Sequence, residues 1–235
     1  ELLSIDDRDI ERVRQKETLH RQAEKAGERA RLGADLSVAP SLTSLRPAQR
    51  AARCDALKDR FFRASQMRAE ARGQRKPTPP EAVAEEDALR AEADEMLAGL
   101  HPFHWPLEFP EVFIDSGAGG FDAILSNPPF QGGQKITGTL GVPYREYLVA
   151  CLAGGKKGSA DLCAYFYLRA GSLLQAGGLF GMLATNTIAQ GDTCEVGLEQ
   201  LVADGNAIVR AISSQKWPGP ANLEVSIVWI HRGPW

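Results

Sequence analysis

The residues of this chain best suited to chemistry are four in a row, Asn127-Pro128-Pro129-Phe130. The Asn127 side-chain oxygen is a hydrogen-bond acceptor, and the Pro128 carbonyl is a second, held in a stiff turn because proline fixes φ. Two acceptors directed at one N–H pair suit a specific task. The nitrogen of an aromatic amine or an amide is a poor nucleophile, since its lone pair is delocalised. Acceptors that hold it near tetrahedral geometry, and stabilise the positive charge that develops, let it receive a methyl group. Phe130 adds a flat face on which a planar substrate can stack. No strong base is required, because the proton becomes acidic once the methyl has moved. The competing reading is a bare turn, since Asn and Pro favour turns on their own.

The elements that must position this turn are legible on both sides of it. Phe121-Asp122-Ala123-Ile124-Leu125-Ser126 lies between Gly119-Gly120 and the turn, which predicts a short buried strand. Asn127 then stands at a strand's carboxyl end, where open α/β sheets bind ligands. Residues 131–141 are rich in glycine and carry Lys135, Thr137 and Thr139. They are expected to close over a substrate or meet a phosphate, or else to connect flexibly to a helix at Tyr144. A helix pattern over 160–174 ends at Gln175-Ala176-Gly177-Gly178, and 179–184 predict a second buried strand. Thr185-Asn186-Thr187 closes that strand on the edge that carries Asn127, as a pocket lining or as a capping turn. A helix over 193–203 and strands over 207–213 and 223–230 follow. Alternating strands and helices predict a mainly parallel sheet, with the last two strands antiparallel because their connection is short.

Composition bounds the rest. The 235 residues are 43% hydrophobic and 24% charged, with a formal net charge of −3. A sizeable core is therefore available, and disordered, collagen-like and disulfide-scaffold classes are excluded. No apolar run reaches the roughly 18 residues of a spanning helix, and no signal peptide opens the chain, so no membrane role is expected. Cys54, Cys151, Cys163 and Cys194 form no CxxC pair and have no nearby His. No metal site is expected, and scattered thiols fit a cytoplasmic protein. Gly154-Gly155-Lys156-Lys157-Gly158 lacks P-loop spacing and reads as a solvated turn. His104 and Trp105 read as packing residues, and Trp217 as a loop anchor rather than a nucleic-acid contact.

The averages hide a division. Residues 1–100 hold 19 Lys+Arg and 19 Asp+Glu, whereas 101–235 hold 8 and 11. The charged part reads as three helices. The first is capped by Asp7 and runs through Ile10 and Val13. The second spans 47–72, with Cys54, Leu57, Phe61, Ala64 and Met67 along one face. The third opens on Thr78-Pro79-Pro80-Glu81 as a capping box and runs to about Leu100, with Leu89, Met96, Leu97 and Leu100 on its apolar side. Residues 46–76 carry ten basic against three acidic residues. Such a run is usually a solvated helix face, and phosphate contact is the alternative.

The stretch 121–130, Phe-Asp-Ala-Ile-Leu-Ser-Asn-Pro-Pro-Phe, resembles the catalytic motif of N6-adenine DNA methyltransferases that use S-adenosyl-L-methionine. With His104-Trp105-Pro106-Leu107-Glu108-Phe109-Pro110-Glu111-Val112-Phe113 and Gln131-Gly132-Gly133-Gln134-Lys135-Ile136, it is similar to the large methylases of restriction–modification and related phage-defence systems. The resemblance covers 101–235 well and the helical part loosely. It implies an α/β fold, the C-terminal part of a Rossmann-like methyltransferase sheet in 101–235, preceded by a charged α-helical insertion in 1–100 that contacts DNA or a partner. It also implies that Asn127 and the Pro128 carbonyl, in a turn stiffened by Pro129, hold the adenine amine next to the cofactor. Phe130 then stacks on the flipped base, and Lys135 and Asn186 are the further candidate substrate contacts. Double-stranded DNA is the implied partner.

One departure matters. That family binds its cofactor through a glycine-rich loop between a strand and a helix, and no such unit precedes residue 121. Gly117-Ala118-Gly119-Gly120 feeds a strand instead. The expectation is therefore the C-terminal-side portion of a methyltransferase domain, needing a missing N-terminal part of the same enzyme or a complementary subunit. A start at Glu1 rather than Met agrees. Two other readings stand beside this one. Enzymes that methylate protein glutamine use a closely similar turn, usually ended by Tyr, so a protein-glutamine or RNA methyltransferase is the second reading. A non-catalytic module that docks on DNA or another subunit is the third.

Overall fold

The structure, a computed structural model, describes residues 10–43, 46–115, 117, 119–217, 220 and 223–235. The expected cap at Asp7 lies outside the described residues. The chain divides into two compact units, Glu1–Glu108 and Phe109–Trp235. No described helix is long and apolar enough to cross a membrane.

The first unit contains α1 (Ile10–Val38), α2 (Pro47–Gly73), α3 (Pro80–Leu97) and the single turn α4 (Trp105–Glu108). Its core is small: Leu32 and Leu36 from α1, Leu57 from α2, and Leu89 and Ala93 from α3, with Phe61 and Met96 packed against them. The predicted face of α2 is the one that packs, with Leu57 and Ala64 buried and Cys54, Phe61 and Met67 half-buried. Charge completes what the thin apolar stripe begins. Glu86 is 6% exposed and accepts from Arg29 Nε of α1 at 3.0 Å and Arg68 Nη2 of α2 at 2.8 Å. Glu92 of α3 takes Arg53 and Arg60 of α2 at 2.6 Å each, and Arg60 also reaches Glu85 at 2.6 Å. Three cations of the basic stretch are thus paired with α3 rather than presented to solvent.

Two local expectations fail here. The residue capping α3 is Pro79, without a side-chain cap, and Thr78 Oγ1 accepts from Arg68 Nη1 at 3.2 Å instead of closing a capping box. Pro79 and Pro80 set the helical φ by themselves and bring no N–H to be satisfied. α3 stops at Leu97 because Ala98 turns left-handed (φ 49°), which leaves Leu100 47% exposed. His104 is an anchor, as expected, through a 2.7 Å bond from its Nε2 to Asp35 Oδ1 of α1.

In the second unit the strands β1 (Phe121–Ser126), β2 (Leu174–Thr185), β3 (Ala207–Lys216) and β4 (Glu224–His231) form one sheet of order β1-β2-β4-β3. β1 and β2 pair in parallel, from Ala123↔Leu179 to Ser126↔Met182. β4 runs antiparallel to both neighbours. The expected hairpin of the last two strands is present, but the sheet is mixed rather than mainly parallel. The connection over 217–223 is too short for a crossover, and β4 inserts between β2 and β3, leaving one parallel pair.

The helices α5 (Gly133–Tyr147), α6 (Leu162–Leu173), α7 (Gly191–Val196) and α8 (Leu198–Ala203) bury one side chain set of the sheet. Phe180, Met182 and Ala184 of β2 and Val228 and Ile230 of β4 meet Cys163, Tyr167 and Val196 there. Tyr167 donates its hydroxyl to the Met182 carbonyl at 2.7 Å, which satisfies a buried polar group. β1 is not the buried strand expected of it. It is an edge strand, and Leu125 is 83% exposed. The single helix predicted over 193–203 is two, divided at Gly197.

Candidate functional site

The Asn127–Phe130 turn begins where β1 ends. Asn127 is exposed, Pro128 is buried, Pro129 is exposed and Phe130 is half-buried against the core. Burying Pro128 orphans no donor, because proline has no N–H, and its carbonyl remains a potential acceptor. The Asn127 amide is left in reach of solvent. Phe130 has part of its ring in the core, so its position is set by packing and only the remainder can be offered to a ligand.

Asn186 lies one residue past the end of β2, the parallel neighbour of β1, so both asparagines belong to the carboxyl edge of this strand pair. Its Nδ2 donates to Glu224 Oε2 at 3.1 Å, while its Oδ1 is buried without a hydrogen-bond partner. A buried acceptor left unpaired is costly, and a ligand N–H would satisfy it. Thr185 makes no side-chain cap to the 3-10 turn Asn186–Ala189, and its hydroxyl pairs with that of Thr187 at 2.7 Å.

The glycine-rich stretch is a helix, which overturns its reading as a flexible loop. α5 starts at Gly133, and Ile136 is 1% exposed. A Cβ on Gly133 would lie 2.3 Å from the Ser159 carbonyl carbon, so only glycine allows this approach. At Gly141 (φ 84°, ψ 163°) the helix breaks, and Pro143 and Tyr144 belong to a second helical piece, close to where a helix was expected. Lys135 is exposed on the first turn of α5, with Thr137 half-buried and Thr139 exposed.

Several supporting residues escaped sequence reasoning. Asp161 caps α6 by accepting the Cys163 N–H at 3.0 Å. The same Oδ1 accepts the Gln131 N–H at 3.2 Å, and the Leu162 N–H donates to the Gln131 carbonyl at 2.8 Å. An Asp ahead of an apolar helix is a visible cap signal, but a bond across thirty positions is not. Burial, and then the nearby Asp161, push the Cys163 thiol up to about 12, and burial likewise pushes the Tyr167 phenol up. Neither is an acid–base group at neutral pH. Among the described residues no cluster of three His, Cys, Asp or Glu side chains can hold a metal ion.

Among the described residues no glycine-rich loop joining a strand to a helix precedes β1. Gly117 and Gly119 have positive φ and Gly120 is pressed against the Leu174 backbone, so the glycines lead into β1 and not into a helix N-terminus.

Comparison with known families places the chain among the restriction–modification methylases. The matching description is that of the Eco57I restriction-modification methylase, over residues 24–213, and the chain belongs to that family. Among solved structures it is similar to the type IIL restriction–modification enzyme MmeI in complex with DNA. That likeness has a TM-score of 0.44 and 17% identity, over 77% of this chain and 30% of the other. The chain thus spans less than a third of that enzyme's length. No curated protein matches it.

Proposed function

We propose that this chain supplies the amine-holding part of a DNA methyltransferase that methylates adenine N6 in a restriction–modification or phage-defence system. The observation that carries the reading is the Asn-Pro-Pro-Phe turn at the carboxyl end of β1, in a chain of the restriction–modification methylase family. In this reading Asn127 Oδ1 and the Pro128 carbonyl accept the two N–H groups of the exocyclic amine. They hold its lone pair out of the ring plane and stabilise the charge that builds on nitrogen. The exposed part of the Phe130 ring stacks on an adenine flipped from the duplex, and the unpaired Asn186 Oδ1 lines the pocket. Lys135, on the first turn of α5, reaches a phosphate beside the flipped nucleotide. The proton lost from nitrogen goes to water. S-adenosyl-L-methionine is the methyl donor of the resembled family.

The cofactor site then comes from an upstream part of the same enzyme or a complementary subunit, which completes a Rossmann-like sheet. The test is methyl incorporation into duplex DNA by the chain joined to that part. Asn127→Ala is expected to lower it on the order of 100- to 1,000-fold, the usual effect of removing one transition-state hydrogen bond. Unchanged incorporation sinks the assignment. Parallel assays with RNA and with protein as acceptors separate the adenine reading from methylation of RNA or glutamine.

A further inference from the structure

The turn that carries Asn127 is held at one end by the β1–β2 ladder, which pairs Ser126 with Met182. Its other end is held by a carboxylate. Asp161 is 7% exposed, and its Oδ1 accepts from the backbone of Gln131, the residue directly after Phe130, as well as from Cys163. The Gln131 carbonyl is taken by Leu162, so both backbone groups of Gln131 are tied to 161–162. Asp161 is in turn fixed by donating its own N–H to Thr193 Oγ1 at 3.1 Å, and Thr193 is 5% exposed. The preceding loop is tied to the same helix, since the Ser159 N–H meets Asp192 Oδ2 at 2.5 Å. Arg145 Nη2 adds a 3.0 Å bond to the Gly158 carbonyl.

We propose that Asp161 is a positioning residue for the Asn127–Phe130 turn, acting through the Gln131 N–H to set the aim of the Asn127 oxygen and the Pro128 carbonyl. The inference rests on the reading of that turn as the amine-holding site. An ordinary N-cap needs only the Cys163 N–H, and a serine serves that purpose as well as an aspartate. The second bond asks for more reach. Here one oxygen serves a local cap and a distant amide together, at 3.0 and 3.2 Å, which needs the extra bond of reach that a serine lacks. Misplacing a reacting group by about 1 Å costs roughly 100-fold in rate, so a clamp next to the turn has leverage on the chemistry.

Three variants separate clamp from cap. Asp161→Ser keeps a cap for Cys163 but is too short to serve Gln131 as well. Asp161→Asn keeps an acceptor of full length. Asp161→Ala removes both. In the chain by itself, amide exchange followed by NMR reads the clamp directly. The Gln131 amide is expected to exchange at least about 10-fold faster in Asp161→Ser and Asp161→Ala, and close to the parent rate in Asp161→Asn. In the completed enzyme, Asp161→Ser is expected to lower kcat about 10- to 100-fold with KM for DNA within about twofold, and Asp161→Asn to restore most of it. Unchanged Gln131 exchange in Asp161→Ser overturns the proposal, whatever the activity. So does a parent kcat in Asp161→Ser beside an inactive Asn127→Ala, which leaves the site reading intact. If Asn127→Ala is itself fully active, the site reading fails instead, and the exchange result still decides the clamp.

Discussion

Cys163 shows what burial does to a single group. Its thiol is held up to about 12, first by loss of solvent and then by Asp161, against an ordinary value of 9.0. The unfolded chain therefore releases this proton at lower pH than the folded one. Stability from this group is complete below about pH 9 and is lost as pH rises toward 12, at up to about 1.4 kcal/mol per pH unit. Thermal unfolding followed between pH 8 and 10.5 is expected to show a falling Tm, with a shallower fall in Cys163→Ala. An equal slope in the two proteins contradicts the shift. The pattern at Asn127 is the opposite, because its amide is exposed while the residue after it is buried. Packing of the buried neighbour fixes where the exposed amide stands.

Among the elements, α5 is where sequence and structure part most clearly. Glycines at 132, 133, 138 and 141 argue against a helix, since each costs about 1 kcal/mol relative to alanine inside one. Gly132 precedes the helix and Gly141 breaks it, so neither carries that cost, and at Gly133 and Gly138 the burial of Ile136 and the close approach of Gly133 to residues 159–160 outweigh it. The glycines are not equivalent, and this is testable. Gly133→Ala would drive a methyl into the Ser159 and Ala160 backbone and is expected to destabilise by about 1–3 kcal/mol. Gly138→Ala meets nothing within 4 Å and is expected to stabilise by up to about 1 kcal/mol. Denaturant midpoints of both variants check the contrast, and equal effects refute it. α2 and the strands β2 and β4 were legible because their patterns are local: an apolar face at helical spacing, and continuous apolar runs between turn residues. The division at Gly197 and the edge position of β1 were not, because neither is written in a neighbouring residue.

At the scale of the molecule, the two compact units rest on different forces. The sheet unit has a broad apolar core, whereas the helical unit joins a small apolar cluster around Leu32, Leu36, Leu57, Leu89 and Ala93 with a ladder of Arg–Glu pairs. Glu86 is the most buried member of that ladder and answers two arginines from different helices. Glu86→Ala is expected to cost the helical unit about 1–3 kcal/mol, since two partly buried cations lose their acceptor. Amide exchange checks this, with faster exchange across α2 and α3 as the expected result and parent rates as the contrary one. Raising salt to about 1 M is expected to speed exchange in α1–α3 more than in β2 and β4, because half-exposed ion pairs are screened and apolar contacts are not.

The sequence by itself determined that two acceptors stand side by side in one stiff turn, and most of the elements around it. A tetrapeptide needs no partner to present two acceptors, and periodicity and caps are properties of adjacent residues. It also announced the charged helices, although not that arginines of α2 close on glutamates of α3. Only the tertiary structure decided the mixed sheet order, the helix made from a glycine-rich stretch, and the hold of Asp161 on Gln131. Each of these depends on segments far apart in the chain coming together, and their energy is absent until they do.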